Sequence, residues 1–164
     1  MKSLVMVVLL LALAVNASAA TAKAAHAAKM PTHGMSLPGD LKWAPAPPVL
    51  QPGAEMAVLQ GNPGSAGMYT VRLKMPDGYK VMPHWHPTTE NVTVISGTFH
   101  LGTGDKFDEA TGTEMPTGAF GFVGPHMHHY AWTTGETIVQ VHGMGPFKLT
   151  YVNPADNPSK AAAK

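Results

Sequence analysis

The chain predicts an all-β domain, a small antiparallel β-barrel or sandwich, and three observations carry that reading. Apolar and polar residues alternate with a period of two through its middle. Gly 17 and Pro 15 break the alternation at short, near-regular intervals, a load that suits short strands and tight turns and would break long helices. No helical period competes with this pattern, and short strands at such spacing make a barrel or a sandwich.

The elements follow in order. Lys2, the apolar run Leu4 to Val15 and the small residues Ala17-Ser18-Ala19 have the form of an export signal over residues 1–19. That run is about a dozen residues, short of the roughly 20 a spanning helix needs, so no membrane span is expected after cleavage. Residues 20–38, Ala-rich and then bearing Pro and Gly, read as a flexible N-terminal tether, with His26 and His33 as solvated tail histidines. The folded domain is placed at 39–153, and 154–164 is expected to be a frayed tail.

Within the domain, Tyr69, Val71, Leu73 and Met75 share one parity while Thr70, Arg72 and Lys74 hold the other, the mark of a half-buried strand. Pro76-Asp77-Gly78 is a turn, and a second strand starts at Tyr79 and runs into His84 and His86. Asn91 to Ser96 and Thr98 to Leu101 read as strands separated by Gly97, and 102–118 as a polar loop. Ala119 to Val123, His128 to Trp132, Thr137 to His142 and Phe147 to Val152 complete the set. Asn91-Val92-Thr93 has the form of a glycosylation acceptor but lies inside an alternating run, where a glycan would be buried.

Composition narrows the function. Charged residues are 13% of the chain and the formal net charge is +1, so there is no basic field for nucleic acid. With no cysteine, neither a disulfide nor a thiolate ligand is available. A chain of 164 residues without internal repeats makes one domain and one site.

The chemistry concentrates in His84-Trp85-His86-Pro87-Thr88-Thr89-Glu90. Histidines at i and i+2 on a strand point to one face roughly 6.5 to 7 Å apart, close enough to share an ion. Trp85 then points to the other face and is read as packing. The turn at 87–89 reverses the chain so that Glu90 faces the same interior, in parity with Val92, Val94 and Ser96. Two imidazoles and a carboxylate suit one divalent transition metal ion (Fe, Mn, Ni, Cu or Zn) and leave other coordination positions open. Met56, Met68, Met75, Met82, Met115 and Met127 are not spaced as a copper site and are read as gap-filling core residues.

The segment Gly78 to Gly97 resembles the first conserved motif of the cupin superfamily, G-x5-H-x-H-x3-E-x6-G, with every fixed position present. The stretch Gly118 to Thr133 resembles the second motif, G-x5-P-x-G-x2-H-x3-N, with departures: Gly124 stands where Pro is usual, His126 where Gly is usual and Thr133 where Asn is usual. The resemblance implies a jelly-roll barrel of the small, exported, single-domain cupin type. It also implies a metal held in the barrel mouth by His84, His86, Glu90 and His129, with His128 and His126 as alternatives for the fourth ligand.

Three classes of function are open to such a site. The first is a dioxygenase-type oxidoreductase acting on a small molecule, with Glu90 able to leave the metal and act as base. Its pocket walls are sought among Tyr79, Phe99, Phe120, Phe122 and Tyr130, with His100, His126, His128 and His142 as further groups behind the ligands. The second is a non-catalytic module of a bacterial cell envelope that binds or senses a metal or small ligand. Metal-assisted hydrolysis or isomerisation is the third. In each case the partner is a small molecule, the location periplasmic or secreted, and a homodimer is allowed.

Overall fold

The structure is a computed structural model in which residues 33–161 are described. The expected export signal and residues 20–32 of the tether lie outside the described residues, and His33 is exposed. The domain has nine strands: β1 Ala44–Pro45, β2 Glu55–Gln60, β3 Gly67–Met75, β4 Lys80–Trp85, β5 Glu90–Thr103, β6 Thr113–Pro116, β7 Phe120–Val123, β8 His129–Gly145 and β9 Thr150–Tyr151. All pairings are antiparallel. Among the described residues, no helix is long and apolar enough to cross a membrane.

β5 and β8 run side by side for most of their length and belong to two sheets at once. Where Glu90–Val94 pairs with Val139–Gly143, the sheet continues through β7 on one side and β3, β2 and β1 on the other. Where Thr98–Thr103 pairs with His129–Thr134, it continues through β6 on one side and β4 and β9 on the other. Between these halves the register shifts at Val94/Ser96 and Ser96/Thr98. Such bulges bend strands and let them pass from one sheet to the next. The jelly roll that results encloses Val71, Leu73, Met75, Val81, Val92, Val94, Phe99, Ala131, Val139 and Val141.

At the bend Gly97 has φ 81°, and a Cβ there would lie 2.5 Å from the Glu136 carbonyl oxygen, so both conformation and space require glycine. Thr137, with no exposed surface, closes the gap. Its hydroxyl accepts from the Thr98 amide at 3.2 Å and donates to the Thr98 carbonyl at 3.0 Å. These bonds satisfy backbone groups that the bulge removes from the ladder.

The alternation expected at Tyr69, Val71, Leu73 and Met75 is present, all four being buried. Several expectations about the elements are corrected. The two strands placed at 91–96 and 98–101 are one, as are those at 128–132 and 137–142, because the bend at Gly97 and the turn-like Thr-Thr-Gly opposite it lie within continuous ladders. The loop read at 102–118 contains β6, whose Met115 is buried while its other residues are exposed. The strand read at 147–152 shortens to Thr150–Tyr151, and the expected frayed tail begins with a 3-10 turn at Pro154–Asp156 and a short helix at Pro158–Ala161. Of the methionines read as core, Met75 and Met115 are buried and Met56 packs on the core, but Met68 and Met127 are exposed.

Candidate metal centre

Each side chain of the centre is set by its strand. His84 of β4 and His129 of β8 are register partners on adjacent strands, so both point into the barrel from one sheet. His86 follows the end of β4 by one residue with the same parity, and Glu90 opens β5 from the opposite sheet. All four are buried. Trp85 points outward, as expected, and packs its ring on His126 at 4.7 Å. The backbone amide of His126 donates to the His86 carbonyl at 2.8 Å, which ties the two motif segments together.

The tautomers follow from hydrogen bonding. The Nδ1 atoms of His84, His86 and His129 lie 2.8, 2.8 and 3.0 Å from the carbonyl oxygens of Met82, Lys148 and Met127. A carbonyl can only accept, so each Nδ1 carries the hydrogen and, in the neutral ring, each Nε2 presents a lone pair. The Nε2 atoms of His86 and His129 are buried without a hydrogen-bond partner. Buried acceptors are rarely left so, and these lack only a group that accepts their lone pairs. One ring nitrogen from each of the three histidines falls within 4.8 Å of the others. The donor set fits a divalent transition metal ion, with backbone carbonyls behind the rings in the orienting role that metal-bound histidines commonly use.

Glu90 Oε2 lies 3.3 Å from His129 Nε2 and 3.7 Å from His86 Nε2. The shorter approach is a close polar contact, not an aligned hydrogen bond, since Nε2 has no hydrogen-bond partner. Burial acts most strongly on the Glu90 carboxyl and would raise it, but the His129 contact and the fields of His86, His129 and His84 together outweigh burial and hold it at about 2. Burial and the neighbouring His129 and His86 push His84 down to about 3. His86 is also lowered, by burial first, against the pull of Glu90 and its bond to Lys148. Glu90, His84 and His86 are therefore deprotonated at neutral pH, as metal binding requires.

The centre sits at one end of a narrow cavity whose remaining walls are apolar: Leu50, Leu73, Met75, Val81, Val92, Phe99, Leu101, Ala131, Val139, Val141, Phe147 and Leu149. The space open to the centres of water-sized molecules is about 40 Å³, room for a few waters at roughly 10 to 15 Å³ each. Phe147 stacks on the face of the His86 ring at 5.0 Å and 21°, which restrains the ring's orientation.

Among the nine residues sought as pocket walls or groups behind the ligands, only Phe99 lines the cavity. Phe120 and Phe122 are on the outer face of β7, 58% and 68% exposed. Gly121 and Val123 face inward there, and Met115 fills the space beside Gly121, so that end of the barrel is already packed. Tyr130 has no exposed surface yet lies outside the barrel, under the segment 104–112, where its hydroxyl donates to the Asp108 carbonyl and meets Thr111 Oγ1. His100 stacks on Trp132 on that same outer face, at 4.6 Å and 3°. His126 is exposed with φ 60°, and His128 pairs with Asp105 at 2.6 Å, so neither reaches the centre. Tyr79 is buried but spends its hydroxyl on the Gln51 carbonyl at 2.6 Å, and His142 lies across from Asn91 and Thr70 on the outer side of β8. Sequence reading missed Leu50, Leu101, Phe147 and Leu149. Phe147 and Leu149 carried a signal, since they share parity in the segment that follows β8.

No curated protein matches the chain by sequence. Three of the solved structures that share its fold illustrate the likeness. The polyketide cyclase RemF from Streptomyces resistomycificus has a TM-score of 0.61 at 16% identity, over 80% of this chain and 94% of that one. A Methylibium petroleiphilum protein proposed to be an acetylacetone dioxygenase scores 0.58 at 19% identity, over 79% and 88%. An RmlC-like cupin from Shewanella frigidimarina scores 0.54 at 18% identity, over 69% and 91%. The family model described as the ChrR cupin-like domain matches residues 31–148. With the jelly roll and the three converging histidines, this match assigns the chain to the ChrR cupin-like domain family within the cupin superfamily.

Proposed function

We propose that this protein binds one divalent transition metal through His84, His86, Glu90 and His129 and acts as a dioxygenase-type oxidoreductase on a small molecule. The observation that carries the reading is the pair of buried, unpartnered Nε2 atoms, on His86 and His129, facing a carboxylate at the head of an apolar cavity. A first-row ion bound here supplies Lewis acidity and, if redox-active, one-electron chemistry with dioxygen. The chain's own part is to hold three neutral imidazoles by their Nδ1–H groups, to exclude bulk water with aliphatic walls, and to offer Glu90 as the one carboxylate in the cavity. Glu90 would serve as base toward a substrate proton positioned within hydrogen-bond reach of its carboxylate. Two of the structural neighbours bear names of enzymes acting on small oxygenated molecules, which agrees with this reading but supports only the fold.

The test is metal analysis of protein from its native compartment, with oxygen uptake measured on reconstituted protein. Iron, manganese, nickel or copper with an exchangeable water, and uptake abolished by His86→Ala, is the expected result. Four-coordinate zinc without turnover would instead favour the second reading, a non-catalytic metal-holding module. That reading has one observation of its own: no titratable group other than the four lines the cavity. We also place the protein outside the cytoplasm, in the periplasm or secreted, on the strength of residues 1–19. N-terminal sequencing should find the mature chain starting near Ala20, and an intact Met1 would contradict export.

A further inference from the structure

We infer that Met68, Met144 and His142 form a second metal site, on the outer face of the sheet, for one soft monovalent cation of the copper(I) class. It uses none of the four residues of the barrel centre and stands whatever that centre holds. The ladder between β3 and β8 is unbroken here and pairs Met68 with Met144 and Thr70 with His142. Tyr69, Val71 and Val141 are buried in the core, so the residues of the other parity share the outer face. On one face of an antiparallel pair, opposed residues have Cβ atoms about 4.5–5.5 Å apart and diagonal ones lie roughly 7–8 Å apart, within reach of long side chains. His142 stands two residues before Met144 on β8 and diagonal to Met68. Two thioethers and one imidazole therefore border one point of the surface. Sequence spacing hides this grouping, because only the ladder register brings Met68 to Met144.

Core packing does not account for the pair, since Met68 is 61% and Met144 53% exposed. The platform beneath them is fixed: Thr88 Oγ1 donates to the Met144 carbonyl at 2.9 Å, and Asn91 Nδ2 donates to the His142 carbonyl at 3.1 Å. Both bonds use backbone oxygens and leave the thioether and the imidazole unspent. The donor set then decides the ion. Thioethers are soft ligands that select copper(I), imidazole suits copper as well, and a chain without cysteine has methionine as its only sulfur ligand. Neutral thioethers bring no charge to offset a divalent ion, and hard ions want carboxylates, of which the outward neighbours Thr70, Asn91 and Gln140 supply none. Arg72, further along β3, turns its Nε to Gln140 Oε1 at 3.3 Å.

The experiment uses silver(I) as a redox-inert stand-in for copper(I), with the methionine methyl groups isotope-labelled and excess zinc present to occupy the barrel centre. Silver titration, followed by NMR, should shift the Met68 and Met144 methyl signals together and saturate at one equivalent. The signals of Met35 and Met127, exposed but outside any strand, should stay in place. Copper(I) affinity is then read without oxygen, by competition with a chromophoric chelator on the same zinc-treated protein. It should fall by more than about 10-fold in each of Met68→Leu, Met144→Leu and His142→Gln, since losing a ligand costs at least as much as losing a group behind one. Leucine conserves the volume at both exposed positions and so keeps the fold, and Met127→Leu should bind as wild type does. Equal silver shifts at all the exposed methionines, or undiminished copper(I) affinity in the Met68→Leu/Met144→Leu double variant, would overturn the inference without touching the reading of the barrel centre.

Discussion

At His84, His86 and His129 the backbone has chosen the tautomer, and that choice makes Glu90 the sensitive residue of the centre. Glu90→Gln keeps the shape but removes the one negative charge facing three imidazoles. Metal affinity should fall by well over the roughly 10–100-fold typical of losing a group behind a ligand. Competition with a chelator of known affinity measures it, and an unchanged constant would remove Glu90 from the ligand set. A second expectation concerns acid. In the metal-free protein His84 is held near 3 and Glu90 near 2, against 6.5 and 4.5 for the free groups. The unfolded chain therefore takes up protons first. Stability is full above about pH 6.5 and is lost as pH falls, through His84 from 6.5 toward 3 and through Glu90 from 4.5 toward 2. At about pH 5 the His84 contribution alone should lower stability by about 2 kcal/mol, visible as a drop in urea midpoint of chelator-treated protein. A midpoint that does not move between neutral pH and 5 would contradict the burial of these groups.

His84, His86 and Glu90 were legible in the sequence because their geometry is local. A strand's period of two and one turn decide where three side chains point. His129 is distant in sequence, and only the resemblance to a second motif placed it. The aromatic walls were illegible for a different reason: aromatic type does not say which face of a strand is inner. Tyr130 and Trp132 occupy the outer face of β8 beneath Phe107, burying apolar surface without entering the cavity.

Among the elements, the bend shared by β5 and β8 deserves a direct trial, since it turns one long ladder into two facing sheets. It brings Glu90 from one sheet opposite the histidines of the other. Its hinge is Gly97, where a side chain would be strained in conformation and would meet the Glu136 carbonyl and the Thr137 backbone at 2.5 and 2.8 Å. Gly97→Ala should destabilise the protein by about 2 kcal/mol or more, the sum of a left-handed alanine and a backbone clash. It should also weaken metal binding by displacing Glu90 relative to His84. Chemical denaturation and metal titration of the same variant check both, and an alanine tolerated without loss would mean the bend is set elsewhere. The sequence showed Gly97 only as a break between two strands. That a ladder could continue through a glycine depended on Thr137, 39 residues beyond Thr98, bonding both polar groups of Thr98. Likewise β6 looked like a loop, since three of its four residues are exposed and only Met115 reports the core.

For the molecule as a whole, the metal and the fold are expected to be one thermodynamic system. There is no disulfide, and the centre concentrates three imidazoles and a carboxylate inside the barrel, a grouping that the unfolded chain does not hold together. An ion that binds the folded form alone stabilises it by about 2.7 kcal/mol when its free concentration is 100 times its dissociation constant. For a domain of this size that is roughly 10 °C in Tm. Adding manganese, cobalt or zinc to chelator-treated protein should therefore raise Tm by that order. The rise itself should stay nearly level from about pH 5 to 7, because His84 and Glu90 of the folded site are already free of protons there, while the metal-free baseline moves with pH. His86→Ala should abolish the rise while leaving the metal-free protein folded, since removing a buried imidazole with an unpartnered nitrogen relieves an unfavourable burial even as it opens a small gap beside Phe147. A wild-type Tm indifferent to every first-row divalent ion, at concentrations where equilibrium dialysis shows none retained, would mean that the four buried side chains converge for some purpose other than holding a metal.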